Sequence, residues 1–358
     1  MSRLFEPVAF PRGKPMPNRF MLAPLTNSQS HADGTLSDQE IHWLVMRAEG
    51  GFGSTMTAAA HVQANGQGFP GQLGIFDDAQ LPGLRRLAQA LNAPGSVSIV
   101  QLYHGGNRCP AALVGTPVCP SDDPETGARA LTAAEVQSLI DNFVAAAVRA
   151  EQAGFDGVEL HGAHGYILCQ FLSPEINHRT DRWGGDLAGR SRIFFEIIDG
   201  IRARCAPGFI VGVRLSPERF GMQLQEVRTL AQQLIDHGGI DFLDMSLWDC
   251  FKAPNDPAYA NRSLLSYFAD LDRKGVQLGV AGKIHDPEDA EQVLAAGVDF
   301  VVLGRVAMLH HDYPQALRAN PGFQPVRPPV SAAYLEAQGM SPAFMEYMRR
   351  WEGFIAEE

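Results

Sequence analysis

Short apolar runs alternate along this chain with longer segments whose apolar residues recur at helical spacing. Nearly continuous apolar runs are typical of strands buried on both faces, as in parallel sheets. The predicted strands are 19–24, 53–57, 96–102, 155–160, 209–215, 240–245, 277–281 and 298–303. Helical periodicity lies between most of these runs. One predicted helix is opened by residues 37–40, and another begins after residue 185. The other predicted helices run over 79–91, 132–153, 225–235 and 286–296.

Eight strands that alternate with helices predict an α/β fold, a parallel (β/α)8 TIM barrel in a single domain. The rival is a doubly wound open sheet, which needs no eighth strand and favours a glycine-rich first turn. No G-x-G-x-x-G motif follows the first predicted strand, so the barrel is the prediction. We expect residues 1–320 to form the barrel. We expect residues 321–358 to form a C-terminal extension that packs on the barrel or at a subunit contact.

Two kinds of local signal refine this outline. Ser37 with Glu40, and Thr132 with Glu135, have the spacing of capping boxes, which mark the first turn of a helix. Residues 103–131 contain several Gly, Pro and Asp residues and no sustained periodicity. A loop of this length inside a compact domain is usually functional, so we expect it to line or cover a site.

Charge and cysteine content narrow the class of protein. The 358 residues carry a formal net charge of -11, which argues against nucleic acid or an anionic membrane as partner, because both favour basic patches. The five cysteines are scattered without a C-x-x-C motif, which favours free thiols in a reducing cytoplasm over a disulfide framework. We find no export signal and no apolar run of ~20 residues, so no membrane span is predicted.

The main chemical signal follows the fourth predicted strand, where His161, His164 and Tyr166 lie close together in the chain. The active site of a TIM barrel lies at the C-terminal ends of its strands. If a helical turn begins here, the two imidazoles share one face and offer two N–H donors, or two cations, to a small oxygen anion. Tyr166 adds an O–H group that can give up a proton. These three side chains are the predicted catalytic group.

Other strand ends supply candidates for holding a ligand. Gly282, Gly304 and Arg305 follow strands seven and eight, where TIM barrels place phosphate sites; the alternative is that the glycines only make tight turns. Gln101 and Arg214 end strands three and five and could bind the pyrimidine edge of a flavin. The alternatives are a satisfied core amide for Gln101 and a buried ion pair with a neighbouring acid for Arg214.

Over nearly its whole length the chain resembles the Old Yellow Enzyme family, the FMN-dependent ene-reductases and NAD(P)H:flavin oxidoreductases. The resemblance is carried by 18–26 (NRFMLAPLT), 100–106 (VQLYHGG), 161–174 (HGAHGYILCQFLSP), 179–185 (RTDRWGG), 213–217 (VRLSP) and 303–305 (LGR). The fourth-strand motif with its R-T-D continuation is highly specific, whereas a G-R pair alone is not. The chain departs from the family pattern at Thr26, Ser28, Ala58, Asn107 and Lys283.

The resemblance implies an FMN-binding barrel over residues 1–320, with NADPH or NADH as the hydride donor. It implies that His161 and His164 hold the carbonyl or nitro oxygen of the substrate, and that Tyr166 donates a proton. The other implied contacts are with FMN. They are the backbone of Ala23, Pro24, Leu25 and Thr26 and residue Ala59 at the ring, Gln101 and Arg214 at the pyrimidine end, and Gly282, Gly304 and Arg305 at the phosphate.

The leading hypothesis is therefore a redox cycle. NAD(P)H reduces FMN, which transfers a hydride to the β-carbon of an activated alkene such as an enone, enal or nitroalkene, with Tyr166 as proton donor. One alternative is a metal-dependent lyase or isomerase on the same barrel, with His161 and His164, or His310 and His311, as ligands. Another is a flavin-binding protein without turnover. The physiological substrate, the choice between NADH and NADPH, and a homo-oligomeric state are left open.

Overall fold

A closed barrel of eight parallel strands forms the centre of the computed structural model, which describes residues 2–357. Neighbouring strands of the barrel are also neighbours in the chain, and the first strand pairs with the eighth. The predicted TIM barrel is confirmed, and the rival open sheet is wrong because the eighth strand closes the ring. The strands are β1 (Phe20–Leu22), β2 (Ser54–His61), β3 (Val97–Tyr103), β4 (Gly157–Gly162), β5 (Ile210–Leu215), β6 (Phe242–Ser246), β7 (Gln277–Ala281) and β8 (Phe300–Leu303).

Helices follow the strands and surround the barrel. The main helices are α1 (Asp38–Glu49), α2 (Leu81–Asn92), α3 (Ala133–Ala153), α4 (Leu187–Arg204), α5 (Leu224–His237), α6 (Ser266–Ala269), α7 (Pro287–Ala295) and α8 (Tyr313–Ala319). Short helices cover Ala111–Val114, Ile167–Leu172, Arg305–Leu309, Ala332–Ala337 and Pro342–Met348, and 3-10 turns cover Arg3–Phe5, Ala64–Gly66, Asp78–Gln80, Gly106–Arg108 and Pro257–Tyr259. The arrangement leaves the C-terminal ends of the strands at one open mouth.

Strand limits agree closely with the predictions except in β2. This strand continues to His61, because a β-bulge between Met56 and Ala59 lets its pairing with β3 resume after a local irregularity. Ala59 is the first residue paired after the bulge, and its partner is Gln101. The bulge therefore determines that Ala59 and Gln101, two predicted cofactor-binding residues, lie opposite each other.

Large aromatic rings fill the N-terminal end of the barrel. Phe242 and Phe300 lie against Gly212 and Gly279, where an added Cβ would come within 2.0 Å and 2.1 Å of the two rings. The N-terminal segment closes the barrel from below, with the Phe10 ring centroid 5.7 Å from that of Phe242. This half of the interior is apolar and densely packed, so the polar chemistry is confined to the other half.

One of the two predicted capping boxes is only half formed. The Ser37 hydroxyl accepts from the Glu40 N–H at 3.1 Å, as predicted, but the buried Glu40 carboxylate turns away and accepts from the Asn27 amide at 3.0 Å. Glu40 therefore fastens the loop after β1 to helix α1. Thr132 and Glu135 form the complete box at the start of α3.

The prediction that residues 103–131 form a loop without regular structure is wrong. This segment contains the helix Ala111–Val114 and a small parallel ladder between Val118–Cys119 and Arg129–Ala130. Two-residue strands are too short to produce detectable periodicity. Arg179, beyond β4, donates to the Pro120 carbonyl at 2.9 Å and so ties this segment to the mouth of the barrel.

The C-terminal segment contacts the outer face of the barrel. The rings of Trp43 and Phe344 meet edge to face with centroids 5.3 Å apart, and the Tyr334 hydroxyl donates to the Leu309 carbonyl at 2.8 Å. The boundary at residue 320 and a place at a subunit contact stay predictions.

Two further sequence features can be compared with the structure. The five cysteines are all buried free thiols, so the prediction of free thiols is confirmed. Between residues 2 and 357, the helices are too short or too polar for any one of them to cross a bilayer.

Candidate functional site

The turn after β4 brings the three predicted catalytic side chains together at the mouth of the barrel. The ring centroid of His161 lies 4.9 Å from that of His164 and 5.0 Å from that of Tyr166. The expected helical turn is wrong, because His161 is a strand residue and the helix begins only at Ile167. His164 instead has a positive φ of 61°, a conformation that is strained for a non-glycine residue and is often found at functional sites.

Hydrogen bonds connect the two histidines in a chain. The Ala163 N–H donates to His161 Nδ1 at 3.3 Å, so the proton of neutral His161 is on Nε2. That Nε2–H lies 3.2 Å from His164 Nδ1, which must then accept. His164 Nε2–H in turn donates to the Ser246 hydroxyl at 2.7 Å. Each imidazole therefore has one defined tautomer, and the sequence prediction did not include Ser246.

Both imidazoles are neutral near pH 7. Burial lowers the pKa of His161 well below its ordinary value, and it lowers the pKa of His164 to about 3. The positive charge of Arg214 acts in the same direction on both. Of the two predicted forms of this pair, the structure therefore favours hydrogen-bond donors over cations.

The neutral pair makes the stability of the protein depend on pH. An unfolded histidine binds a proton near pH ~6.5, whereas folded His164 does so only near pH 3, so acid favours the unfolded chain. The free energy of unfolding is therefore expected to decrease as the pH is lowered below ~6.5. His164 contributes up to ~1.4 kcal/mol to this decrease per pH unit. Urea unfolding from about pH 5 to pH 7 should give a shallower pH slope for His164→Gln than for the native chain. Equal slopes would show that His164 titrates normally.

Tyr166 is enclosed by two neighbours. The Tyr103 ring meets it edge to face, with centroids 4.5 Å apart, and the Arg108 guanidinium carbon lies 4.9 Å from its ring centroid. Arg108 also donates to the His164 carbonyl. Burial raises the pKa of Tyr166, while the charge of Arg108 opposes that rise. The phenol is therefore protonated at neutral pH and lies beside a cation that can stabilise its anion.

A buried polar cluster lies beneath the histidine turn. Gln101 Nε2 donates to Glu159 Oε1 at 2.7 Å, and Arg214 Nε lies 3.1 Å from Asp244 Oδ2. Burial raises the pKa of Glu159 well above its ordinary value, and the neighbouring Asp244 adds to the rise. Burial also raises the pKa of Asp244, against the opposing charge of Arg214. The cluster therefore combines the Arg214–Asp244 ion pair with a second buried carboxyl group, Glu159, whose charged form burial disfavours.

Glu159 and Asp244 were missed in the sequence prediction, although the chain carries a signal for them. Each is an acid inside an otherwise apolar strand, which is unusual unless the side chain has a polar partner. Strand register supplies that partner, since Glu159 pairs with Gln101 and Asp244 with Arg214. The alternative prediction for Arg214, a buried ion pair, is thus observed. Its terminal nitrogens bond no other group in the described chain, so they can also hold a ligand.

The glycines after β7 and β8 expose backbone donors. Within residues 2–357, the N–H groups of Gly282, Gly304 and Arg305 donate to no other backbone group. Arg305 is exposed and begins the helix Arg305–Leu309. A Cβ at Gly304 would lie 3.6 Å from the Leu25 side chain, so this turn directly adjoins the segment after β1. The arrangement has the donors that an anion site requires.

The model of the NADH:flavin oxidoreductase / NADH oxidase family matches residues 3–321. The chain belongs to this family. FMN is accordingly its cofactor, and NADH or NADPH its hydride donor.

Individual relatives support this assignment. A probable NADH-dependent flavin oxidoreductase of Bacillus subtilis is 40% identical over 314 residues, which is 84% of each chain. The NADH:fumarate oxidoreductase of Klebsiella pneumoniae is 32% identical over 89% of this chain, but the match spans only 36% of that longer protein. An Old Yellow Enzyme homologue from Zymomonas mobilis has a similar structure, with a TM-score of 0.79, 26% identity and coverage of 93% and 96% of the two chains. The predicted resemblance to Old Yellow Enzymes is confirmed.

The residues at the mouth of the barrel fit FMN. The terminal nitrogens of Arg214 suit the pyrimidine oxygens, and the unpartnered N–H groups of Gly282 and Gly304 suit the phosphate. Arg305 lies beside Gly304 and can add a guanidinium. These assignments to individual atoms of FMN stay predictions.

The remaining predicted cofactor residues line the same mouth. The Ala23 N–H donates to the Leu303 carbonyl at 2.9 Å, so the pairing of β1 with β8 continues to Ala23 at the mouth of the barrel. Pro24, Leu25 and Thr26 follow and are half-buried. Ala59 is also half-buried, and its carbonyl accepts from the Gln72 amide at 2.9 Å. Their contacts with the flavin ring stay predictions as well.

The residues considered as alternative metal ligands have other partners. His310 is buried just after the helix Arg305–Leu309, where its Nε2 accepts from the Val326 N–H at 2.8 Å and its ring packs on Phe323. His311 Nδ1 lies 2.8 Å from the Gln338 amide oxygen. Across residues 2–357, no three His, Cys, Asp or Glu side chains converge as a metal site would require.

Proposed function

We propose that this flavin oxidoreductase is an ene-reductase, which uses NAD(P)H and one proton to saturate the C=C bond of an enone, enal or nitroalkene. The observation that carries the proposal is the neutral histidine pair with the protonated Tyr166 beside it, all three at the mouth of the barrel that also holds the predicted FMN-binding residues. When bound at this mouth, FMN would supply the hydride chemistry that links the nicotinamide to the alkene. The protein side chains then provide polarisation and the proton.

The histidine pair is suited to activate a substrate oxygen. The donors His161 Nε2–H and His164 Nε2–H now bond His164 and Ser246, at 3.2 Å and 2.7 Å. An entering carbonyl or nitro oxygen would take over these bonds as acceptor. As the β-carbon gains a hydride, negative charge develops on that oxygen, and neutral N–H donors stabilise it strongly in a site sheltered from water.

Tyr166 is suited to complete the reaction. Its hydroxyl would give its proton to the α-carbon. The hydride brings the electron pair of the new β-C–H bond, and the former π pair of the alkene forms the α-C–H bond with the proton. The phenolate left behind lies near Arg108, whose charge lowers the pKa of Tyr166 and so stabilises the anion. A proton from solvent would restore the phenol for the next cycle.

Isotope labelling tests this proposal directly. The purified protein should show the visible absorbance of flavin, and under anaerobic conditions it should oxidise NADH when 2-cyclohexenone is added. With NADH deuterated at the nicotinamide C4, one deuterium should appear at the β-carbon of cyclohexanone. In heavy water, deuterium from solvent should appear at the α-carbon. If NADH bleaches the flavin but no cyclohexanone forms, the result would instead support a protein that binds flavin and does not reduce alkenes.

A further inference from the structure

Arginines and aromatic rings alternate along one side of the barrel mouth. The Arg108 guanidinium carbon lies 4.9 Å from the Tyr166 ring centroid and 5.9 Å from that of Phe220. The Arg219 guanidinium carbon lies 5.4 Å from the same Phe220 centroid and 4.6 Å from that of Trp248. We name Tyr166, Arg108, Phe220, Arg219 and Trp248 the cationic rim. It begins at the proposed proton donor and ends at a tryptophan that is 61% exposed.

Neither arginine of the cationic rim is neutralised. In the part of the chain that the structure describes, no carboxylate lies within 4.0 Å of Arg108 or Arg219, although twenty other ion pairs are formed. Two acids near the rim have other partners: Glu218 pairs with Lys252 at 2.8 Å, and Asp249 pairs with Lys283 at 2.9 Å. A third, Glu175, lies against Gly221 but forms no ion pair with either arginine in the described structure. Two adjacent cations therefore remain uncompensated in a chain whose net charge is -11.

The backbone holds this rim in strained conformations. Arg219, Phe220 and Trp248 have positive φ angles of 73°, 56° and 63°. Phe220 rests on the histidine turn, since an added Cβ at Gly165 would lie 2.8 Å from its ring. Strain of this kind persists only where the surrounding structure imposes it, and it is concentrated at ligand-binding sites.

The chemistry of guanidinium identifies the ligand. Stacking on an aromatic ring covers one face of each guanidinium, but it leaves the N–H edges available for a carboxylate or phosphate. Arg108 uses one nitrogen, Nη1, on the His164 carbonyl, and its other donors are available. Such edges bind planar or tetrahedral anions through paired hydrogen bonds.

We propose that the cationic rim binds an anionic oxygen group, a carboxylate or phosphate, of the ligand that occupies the barrel mouth. The proposal deepens the proposed function and partly rests on it, since it makes the preferred ligands acidic. The anion can belong to the alkene or to the nicotinamide donor, because both must approach the flavin at this mouth. Arg219 is chosen for the test because, among the described residues, its guanidinium stacks on Phe220 and Trp248 and makes no hydrogen bond to the histidines or Tyr166.

Matched ligands separate the anion from the rest of the molecule. N-propylsuccinimide and 3-succinimidopropionate have the same ring, which has no C=C bond to reduce, and only the second has a carboxylate. Their binding to the oxidised holoenzyme is measured from the change in flavin absorbance. For the donor, NADH is compared with 1-benzyl-1,4-dihydronicotinamide, which has no phosphate, by the rate of flavin bleaching. Arg219→Gln is compared with the control Arg318→Gln, whose guanidinium also stacks on a ring, that of Phe5 at 4.8 Å, away from the mouth.

Two results would support the proposal. Arg219→Gln should weaken binding of the carboxylate analogue about three- to tenfold with the neutral analogue unchanged, which assigns the anion to the alkene substrate. Alternatively, it should slow bleaching by NADH but not by the phosphate-free donor, which assigns the anion to the nicotinamide. The effect should shrink as salt is added, because the rim is exposed. Arg318→Gln should change neither comparison.

Equal effects of Arg219→Gln on the charged and neutral members of both pairs would overturn the proposal. Because binding and bleaching are measured without an alkene, this outcome is independent of the isotope experiment. Failure to reduce 2-cyclohexenone would therefore count against the ene-reductase and not against the anion site.

Discussion

Replacing Tyr166 by phenylalanine is expected to slow alkene reduction by a factor of about 10² to 10⁴, the usual contribution of a positioned general acid. The substitution removes only the hydroxyl and keeps the ring that packs on Tyr103. Bleaching of bound FMN by NADH should be unchanged, because this step needs no proton from Tyr166. Stopped-flow measurement of the two half-reactions separates these effects.

Tyr103→Phe is the matched control for this experiment. Tyr103 is also a buried phenol, 5.9 Å from His161 between ring centroids; its hydroxyl lies close to Gly68 and Gly105, and near enough to the Tyr166 hydroxyl to lower the pKa of Tyr166. Burial raises the pKa of Tyr103 well above its ordinary value, so it is a poorer acid than Tyr166. We expect a much smaller effect on alkene reduction. Similar losses in both variants, or none in Tyr166→Phe, would remove Tyr166 as the proton donor.

Replacing Arg214 by methionine is expected to abolish retention of FMN and to destabilise the barrel by about 3–5 kcal/mol. Both effects have one physical cause, the loss of a buried cation. Without Arg214, the fully buried Asp244 keeps no cationic partner, and the pyrimidine end of the cofactor loses its proposed charge-assisted donor. The flavin content after gel filtration and the free energy of unfolding in urea measure the two effects.

Two further variants separate cofactor binding from stability. The double variant Arg214→Met/Asp244→Asn also removes the carboxylate that would be left unpaired. Its free energy of unfolding should therefore largely recover, while FMN is still lost. Arg202 also pairs with a buried acid, Asp241, at 2.5 Å, but at the opposite end of the barrel, where Arg12 pairs with the same carboxylate at 3.0 Å. Arg202→Met should therefore cost stability while FMN added in excess still binds. Normal flavin content in the Arg214 variants would show that this guanidinium has no role in holding the cofactor.

Much of the fold followed from the apolar pattern. Eight buried runs separated by helical segments are compatible with few architectures, and a parallel sheet of this size with alternating helices closes into a barrel. Local signals failed where a side chain found a distant partner. Glu40 left its capping box because Asn27, brought near by the turn after β1, lay within reach.

The candidate site was only partly predictable. His161, His164 and Tyr166 are close in the chain, so their proximity in space needed no knowledge of the fold. Glu159 lies on β4, whereas Asp244 and Ser246 lie on β6, and their partners are near only in the folded barrel. Strand register pairs Glu159 with Gln101 and Asp244 with Arg214, and the turn after β4 brings His164 to Ser246. The cationic rim is of the same kind, since Arg108, Arg219 and Trp248 come from three different loops.

By itself, the sequence determined which stretches are buried, how many strands form the barrel and which residues leave the fourth strand together, because these properties depend on spacing along the chain. The tertiary structure alone decided that both histidines are neutral, which nitrogen of each carries the proton, and which charges remain without a partner. Those properties depend on burial and on the distance between groups far apart in the chain.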